Sequence, residues 1–117
     1  LGLLPEAGSS LLAPRLMGHA RAFSLLVMGK SLSAEEAKAA GIVTAVVPAA
    51  ELDARSLEVA REIAALPPES VAAARRLMRG SVEEIVARID EEVEAFKTRL
   101  ASPEAQKAFA AFLTRKR

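Results

Sequence analysis

Cysteine is absent from this chain, so neither a disulfide framework nor a thiolate metal site is available, and the redox compartment stays open. The single histidine, His19, excludes histidine-rich metal clusters. Tryptophan and tyrosine are missing and there are only four phenylalanines; the apolar content is mostly Ala, Leu and Val. That composition suits close-packed helices better than a thick aromatic core. Neither charge dominates: 16 basic and 15 acidic residues leave a formal charge of +1, with no electrostatic footprint for nucleic acid. No apolar run approaches the ~18 residues of a membrane span. The opening Leu1-Gly2-Leu3-Leu4 is too short for a signal peptide and lacks its basic flank. The expectation is a soluble, cytoplasmic protein with neither nucleic acid nor membrane as partner.

What is present is helical punctuation. Ser9 or Ser10 is expected to cap a short helix through Leu16 that ends at Gly18, with Pro14 near its first turn. A second helix is expected from about His19 to Met28, before Gly29. Ser33-Ala34-Glu35-Glu36 spells a capping box, with Gly41 as the stop. Ile42 to Val47 is β-branched and closed by Pro48, which predicts one short strand. Beyond it, Leu52, Val59, Ile63 and Leu66 line a helix ending at Pro67-Pro68, and Glu69 to Arg79 forms the next. Ser81-Val82-Glu83-Glu84 is a second capping box. It opens the strongest amphipathic pattern, with Val82, Ile85, Val86, Ile89, Val93, Phe96 and Leu100 on one stripe expected to pack inward. Ser102-Pro103 starts a last helix carrying Ala105, Phe109 and Phe112. The fold class is mainly α with a single strand. A lone strand needs a partner, and Leu1 already lies inside an apolar run, so the chain reads as the later part of a larger protein.

Few residues offer chemistry. Glu6 is a lone carboxylate in an otherwise apolar run, which makes it a candidate for moving protons. Its alternative role is structural, an acid favoured by the dipole of the helix that follows. Ser9 and Ser10 have no base placed for nucleophilic work and suit capping. His19, at a helix start, is expected to be solvated. Asp90, Glu91, Glu92 and Glu94 read as a solvated helix face, not a metal cage, and no metal site is expected.

The motifs also carry a likeness. Pro5-Glu6-Ala7-Gly8-Ser9-Ser10, Pro14-Arg15-Leu16-Met17-Gly18, Ser33-Ala34-Glu35-Glu36-Ala37, Gly41-Ile42-Val43 and Val47-Pro48 resemble, in order and spacing, the crotonase superfamily of enoyl-CoA hydratases and isomerases. The resemblance covers more than a third of the chain, and the helical remainder fits the family's C-terminal helices more loosely. It implies the C-terminal helical portion of a spiral ββα fold. Residues 1–50 would be the tail end of the spiral core, and residues 51–117 a helical oligomerisation domain.

Hydratases usually carry glycine at the position of Glu6, and their two catalytic carboxylates would lie upstream of Leu1. The Pro-Glu-x-x-Ser-Ser form is similar to the Δ3,Δ2-enoyl-CoA isomerases, in which this glutamate is the catalytic base. The resemblance therefore implies that Glu6 moves a double bond from C3 to C2 of an acyl-CoA thioester, with the enolate held by two backbone N–H groups from the family's N-terminal half. The closing Phe112-x-x-Arg115-Lys116 resembles a family motif near the CoA adenine and phosphates; no separate cofactor is implied, coenzyme A being part of the substrate. A homotrimer or hexamer is implied as well. Two rivals stay open: a hydratase with both carboxylates upstream, and a stand-alone, non-enzymatic helical oligomerisation module. A helix-turn-helix DNA binder over Ser33 to Val43 ranks below both, since the near-neutral charge opposes it.

Overall fold

The computed structural model describes residues 3–114, and its regular structure there is entirely helical. Seven α-helices follow in order: α1 (Ser9–Met17), α2 (His19–Leu26), α3 (Ala34–Ala39), α4 (Leu52–Ala64), α5 (Pro68–Arg79), α6 (Val82–Leu100) and α7 (Pro103–Leu113). A 3₁₀ turn at Ala49–Glu51 precedes α4. The arrangement is open. Its radius of gyration is 18.5 Å, against about 13 Å for a compact chain near this size.

Local signals place most of the helix ends. The Ser33 hydroxyl accepts from the Glu36 N–H and the Glu36 carboxylate accepts from the Ser33 N–H, a complete capping box at α3. Ser81 caps α6 and Ser102 caps α7 through the N–H groups of Glu84 and Ala105. Pro68 and Pro103 sit at the starts of α5 and α7, where a missing N–H costs nothing. The box at Ser81 is only half made, because the Glu84 carboxylate turns to Arg15 instead.

Three expectations need correction. No strand forms among the described residues. Residues 43–48 lack regular structure and find no neighbouring strand to take their N–H and C=O groups, so β-branched composition alone builds no ladder. Neither Ser9 nor Ser10 caps α1: the N-cap is Gly8, in the left-handed region (φ 76°) and without a side chain, so Pro14 falls in the helix interior. The α6 stripe is buried only in part. Ile85, Ile89 and Phe96 are half-buried, while Val82, Val86, Val93 and Leu100 stay exposed with nothing among the described residues to cover them.

Packing is concentrated where α1 meets α2 and α6 and where α7 meets α6. Met17, Ala22 and Ala40 form a small core between α1, α2 and the end of α3, with Ala13 and Leu25 against it. Arg21 donates to the Ala39 carbonyl (3.1 Å), tying α2 to an unsatisfied carbonyl at the end of α3. At the other end α7 packs on α6, with Ala105 fully buried. Helices α4 and α5 expose nearly every residue, including Leu57, Ile63, Leu77 and Met78.

Candidate active site

The turn ahead of α1 is built from Glu6, Ala7 and Gly8. The Glu6 carbonyl accepts from the Ser9 N–H at 3.1 Å. Ala7 (φ 58°) and Gly8 (φ 76°) are both left-handed. That is natural for glycine but costs a residue with a Cβ about 1–2 kcal/mol, so the turn is held by its surroundings.

The holding group is Glu92, which comes from α6. Its Oε2 accepts from the Gly8 N–H at 2.6 Å and its Oε1 from the Ser10 N–H at 2.9 Å. The carboxylate is thus the cap of α1, supplied from 84 residues along the chain. It is buried, 6% exposed, and not part of the solvated face that its neighbours suggested. Burial pushes its carboxyl upward, but the Ser10 side chain, the Ser10 and Gly8 amides and nearby Arg88 outweigh burial and hold it below the usual carboxylate range. At the far end of α1, Arg15 donates two hydrogen bonds to Glu84, at 3.1 and 2.6 Å. Residues 8–10 meet residue 92 and residue 15 meets residue 84, so α1 and α6 lie antiparallel, clamped at both ends.

Glu6 is exposed, and among the described residues no hydrogen bond or ion pair engages its carboxylate. Its expected apolar enclosure is not formed among the described residues, where its neighbours Leu4 and Ala7 are exposed too. The Gly8 and Ser10 amides at the start of α1 are taken by Glu92, so Glu6 is not the group that caps them. Beside the turn, Pro5, Ser10, Pro14, His19, Ala22 and Phe23 help line an apolar cleft of about 150 Å³. His19 is exposed at the start of α2, its ring 6.2 Å from that of Phe23. Phe112 is exposed near the end of α7; Arg115 and Lys116 lie outside the described residues. Among the described residues no group of three or more acidic, histidine or cysteine side chains is placed to hold a metal ion. No described helix is long and apolar enough to cross a membrane.

Glu92 is the residue that sequence reasoning missed, and a signal for it existed. It falls seven residues after Ile85 and four before Phe96, on the half-buried face of α6 rather than its polar side.

Known proteins are similar to this chain in sequence and in fold. Residues 1–117 match the sequence model of the enoyl-CoA hydratase/isomerase family. Enoyl-CoA delta isomerase 2 of Rattus norvegicus is 37% identical over 117 residues, covering 99% of this chain and 30% of that protein. The 4-chlorobenzoyl coenzyme A dehalogenase-1 of Arthrobacter sp is 30% identical over 113 residues, covering 96% of this chain and 41% of that protein. The crystal structure of an enoyl-CoA hydratase/isomerase from Pseudoalteromonas atlantica T6c superposes with a TM-score of 0.92 at 43% identity, over 99% of this chain and 47% of that one. The chain thus spans less than half the length of these relatives. With its helical architecture and its match along the full length, this chain belongs to the enoyl-CoA hydratase/isomerase family, as the helical C-terminal portion of the crotonase fold.

Proposed function

We propose that this chain carries the catalytic base of an enoyl-CoA isomerase, Glu6. The observation that carries the reading is the division of labour at the start of α1: Glu92 satisfies the Gly8 and Ser10 amides, and the Glu6 carboxylate, just before a left-handed turn, has no hydrogen-bond partner among the described residues. The likeness to a delta isomerase along nearly the whole chain supports it. In the reaction, the Glu6 carboxylate takes the proton from C2 of a 3-enoyl-CoA thioester. The C2–H electrons enter the C1–C2 bond as the carbonyl π electrons move onto the thioester oxygen; when this dienolate collapses, the C1–C2 pair becomes the C2–C3 double bond and the C3–C4 pair takes up a proton at C4. The same carboxyl group then returns a proton to C4 on one face of the substrate. The thioester oxygen carries the transient negative charge. Its stabilising donors belong, by resemblance, to the family's N-terminal half.

The rest of the proposal follows the resemblance. Phe112, Arg115 and Lys116 would lie toward the CoA adenine and phosphates, where guanidinium and ammonium groups suit phosphate. Residues 51–117 would serve assembly into a homotrimer or hexamer, in a cytoplasmic setting and without a cofactor beyond the CoA of the substrate. The test is Glu6→Gln in the intact protein, expected to lower double-bond migration ~10²–10⁴-fold. The second reading, a hydratase, rests on the double name of the family and of the solved structure. It requires hydration of a 2-enoyl-CoA to survive the same substitution.

A further inference from the structure

The α1–α6 contact does more than cap a helix. Ile85, Ile89 and Glu92 follow one another on a single face of α6, and that face rests on the turn that carries Glu6. A Cβ placed on Gly8 would lie 3.4 Å from Ile85 Cγ2 and 3.6 Å from Ile89 Cγ1, so the helix sits directly on the glycine. Next along that face, the Glu92 oxygens divide between two amides, Gly8 at 2.6 Å and Ser10 at 2.9 Å. A serine or aspartate at position 8 is the ordinary way to start a helix, and two serines stand beside it unused as caps. Instead a buried carboxylate from a distant helix makes the link. Between Gly8 and Glu6 stands Ala7, in a left-handed conformation that an alanine keeps only where its surroundings impose it.

We infer that Glu92 is a positioning residue for the reaction: its carboxylate grips the Gly8 and Ser10 amides, fixes the left-handed Ala7 turn, and thereby aims the Glu6 carboxylate at its substrate. The inference rests on Glu6 as the base. Small displacements of a reacting group are costly, since misplacement by about 1 Å is worth on the order of 10²-fold in rate. Both Glu92 oxygens are taken by backbone amides. Glu92 acts on the backbone two residues downstream of the reacting group.

The test is made on the intact protein. Glu92→Gln keeps the shape but presents only one acceptor oxygen to the two amides. It is expected to lower kcat for conversion of a 3-enoyl-CoA to a 2-enoyl-CoA by roughly 10- to 100-fold with KM nearly unchanged. Glu92→Asp restores the charge and recovers part of the loss. Glu84→Gln breaks the other α1–α6 link, at Arg15, and leaves kcat at the wild-type value. Should Glu92→Gln fold poorly, Ala7→Gly loosens the same turn without touching the clamp and is expected to lower kcat in the same way. A wild-type kcat for folded Glu92→Gln, a rise in KM alone, or an equal loss from Glu84→Gln overturns the positioning role. Glu6→Gln separates the two claims: full activity there rejects the base and the positioning role together. An inactive Glu6→Gln beside a fully active Glu92→Gln rejects the positioning role only.

Discussion

Removing the Glu92 carboxylate tests the structural side of the α1–α6 clamp independently of catalysis. In Glu92→Ala, two amides that received a charged acceptor at 2.6 and 2.9 Å lose it in a site where the side chain was 6% exposed. A hydrogen bond to a charged group contributes about 1.5–3 kcal/mol net, and part of the loss is recovered as water reaches the vacated amides, giving roughly 2–4 kcal/mol in total. Glu92→Gln retains one acceptor and should cost about 1–2 kcal/mol. The direction with pH follows from the carboxyl being held below its ordinary value, the Ser10 side chain, the two amides and Arg88 outweighing burial. The unfolded chain takes up this proton near pH 4.3, before the native state does. The stabilisation is therefore complete above that pH and is lost as pH falls through the lower native value. Denaturant unfolding of the intact protein and of Glu92→Gln, followed by circular dichroism between pH 7 and pH 3, should show the gap between them closing toward acid. A gap that stays constant over this range, or a Glu92→Ala cost below ~0.5 kcal/mol, the usual scale of surface substitutions, would refute the buried, charged clamp.

Two further outcomes are expected. Ala105→Leu forces a larger side chain into the one fully buried position between α6 and α7 and should cost ~1–3 kcal/mol of stability, read by thermal or denaturant unfolding. The 117-residue chain by itself should turn over neither a 3-enoyl-CoA nor a 2-enoyl-CoA. The enolate donors lie elsewhere by resemblance, and losing even one such donor costs ~2.7–4 kcal/mol of transition-state stabilisation.

What sequence made legible was local. Ser33 with Glu36, Ser81, Ser102 with Pro103, and the glycines at 41 and 80 mark helix ends by interactions spanning three or four residues. Such interactions can be read from spacing. What stayed hidden depended on contacts between distant segments. The Ile42–Val47 run has strand composition, but a strand exists only where another backbone completes its hydrogen bonds. Val82, Val86, Val93 and Leu100 repeat at helical spacing like core residues, and periodicity does not say whether this chain supplies their cover. Glu92 stands among charged residues in the sequence, and only its register with Ile85 and Phe96 sets it apart. At the site, the Pro5-Glu6 turn was visible as a motif. The group that caps the following helix is not, because it is Glu92, 84 residues beyond Gly8.

The central claim, Glu6 as the base, is tested most directly by assaying the intact Glu6→Gln protein for both double-bond migration in a 3-enoyl-CoA and hydration of a 2-enoyl-CoA. Glutamine keeps the size and hydrogen bonding of the side chain but cannot carry the proton. Migration should fall by ~10²–10⁴-fold while binding of the acyl-CoA changes little. An isomerase that keeps its full migration rate without the Glu6 carboxylate would contradict the account.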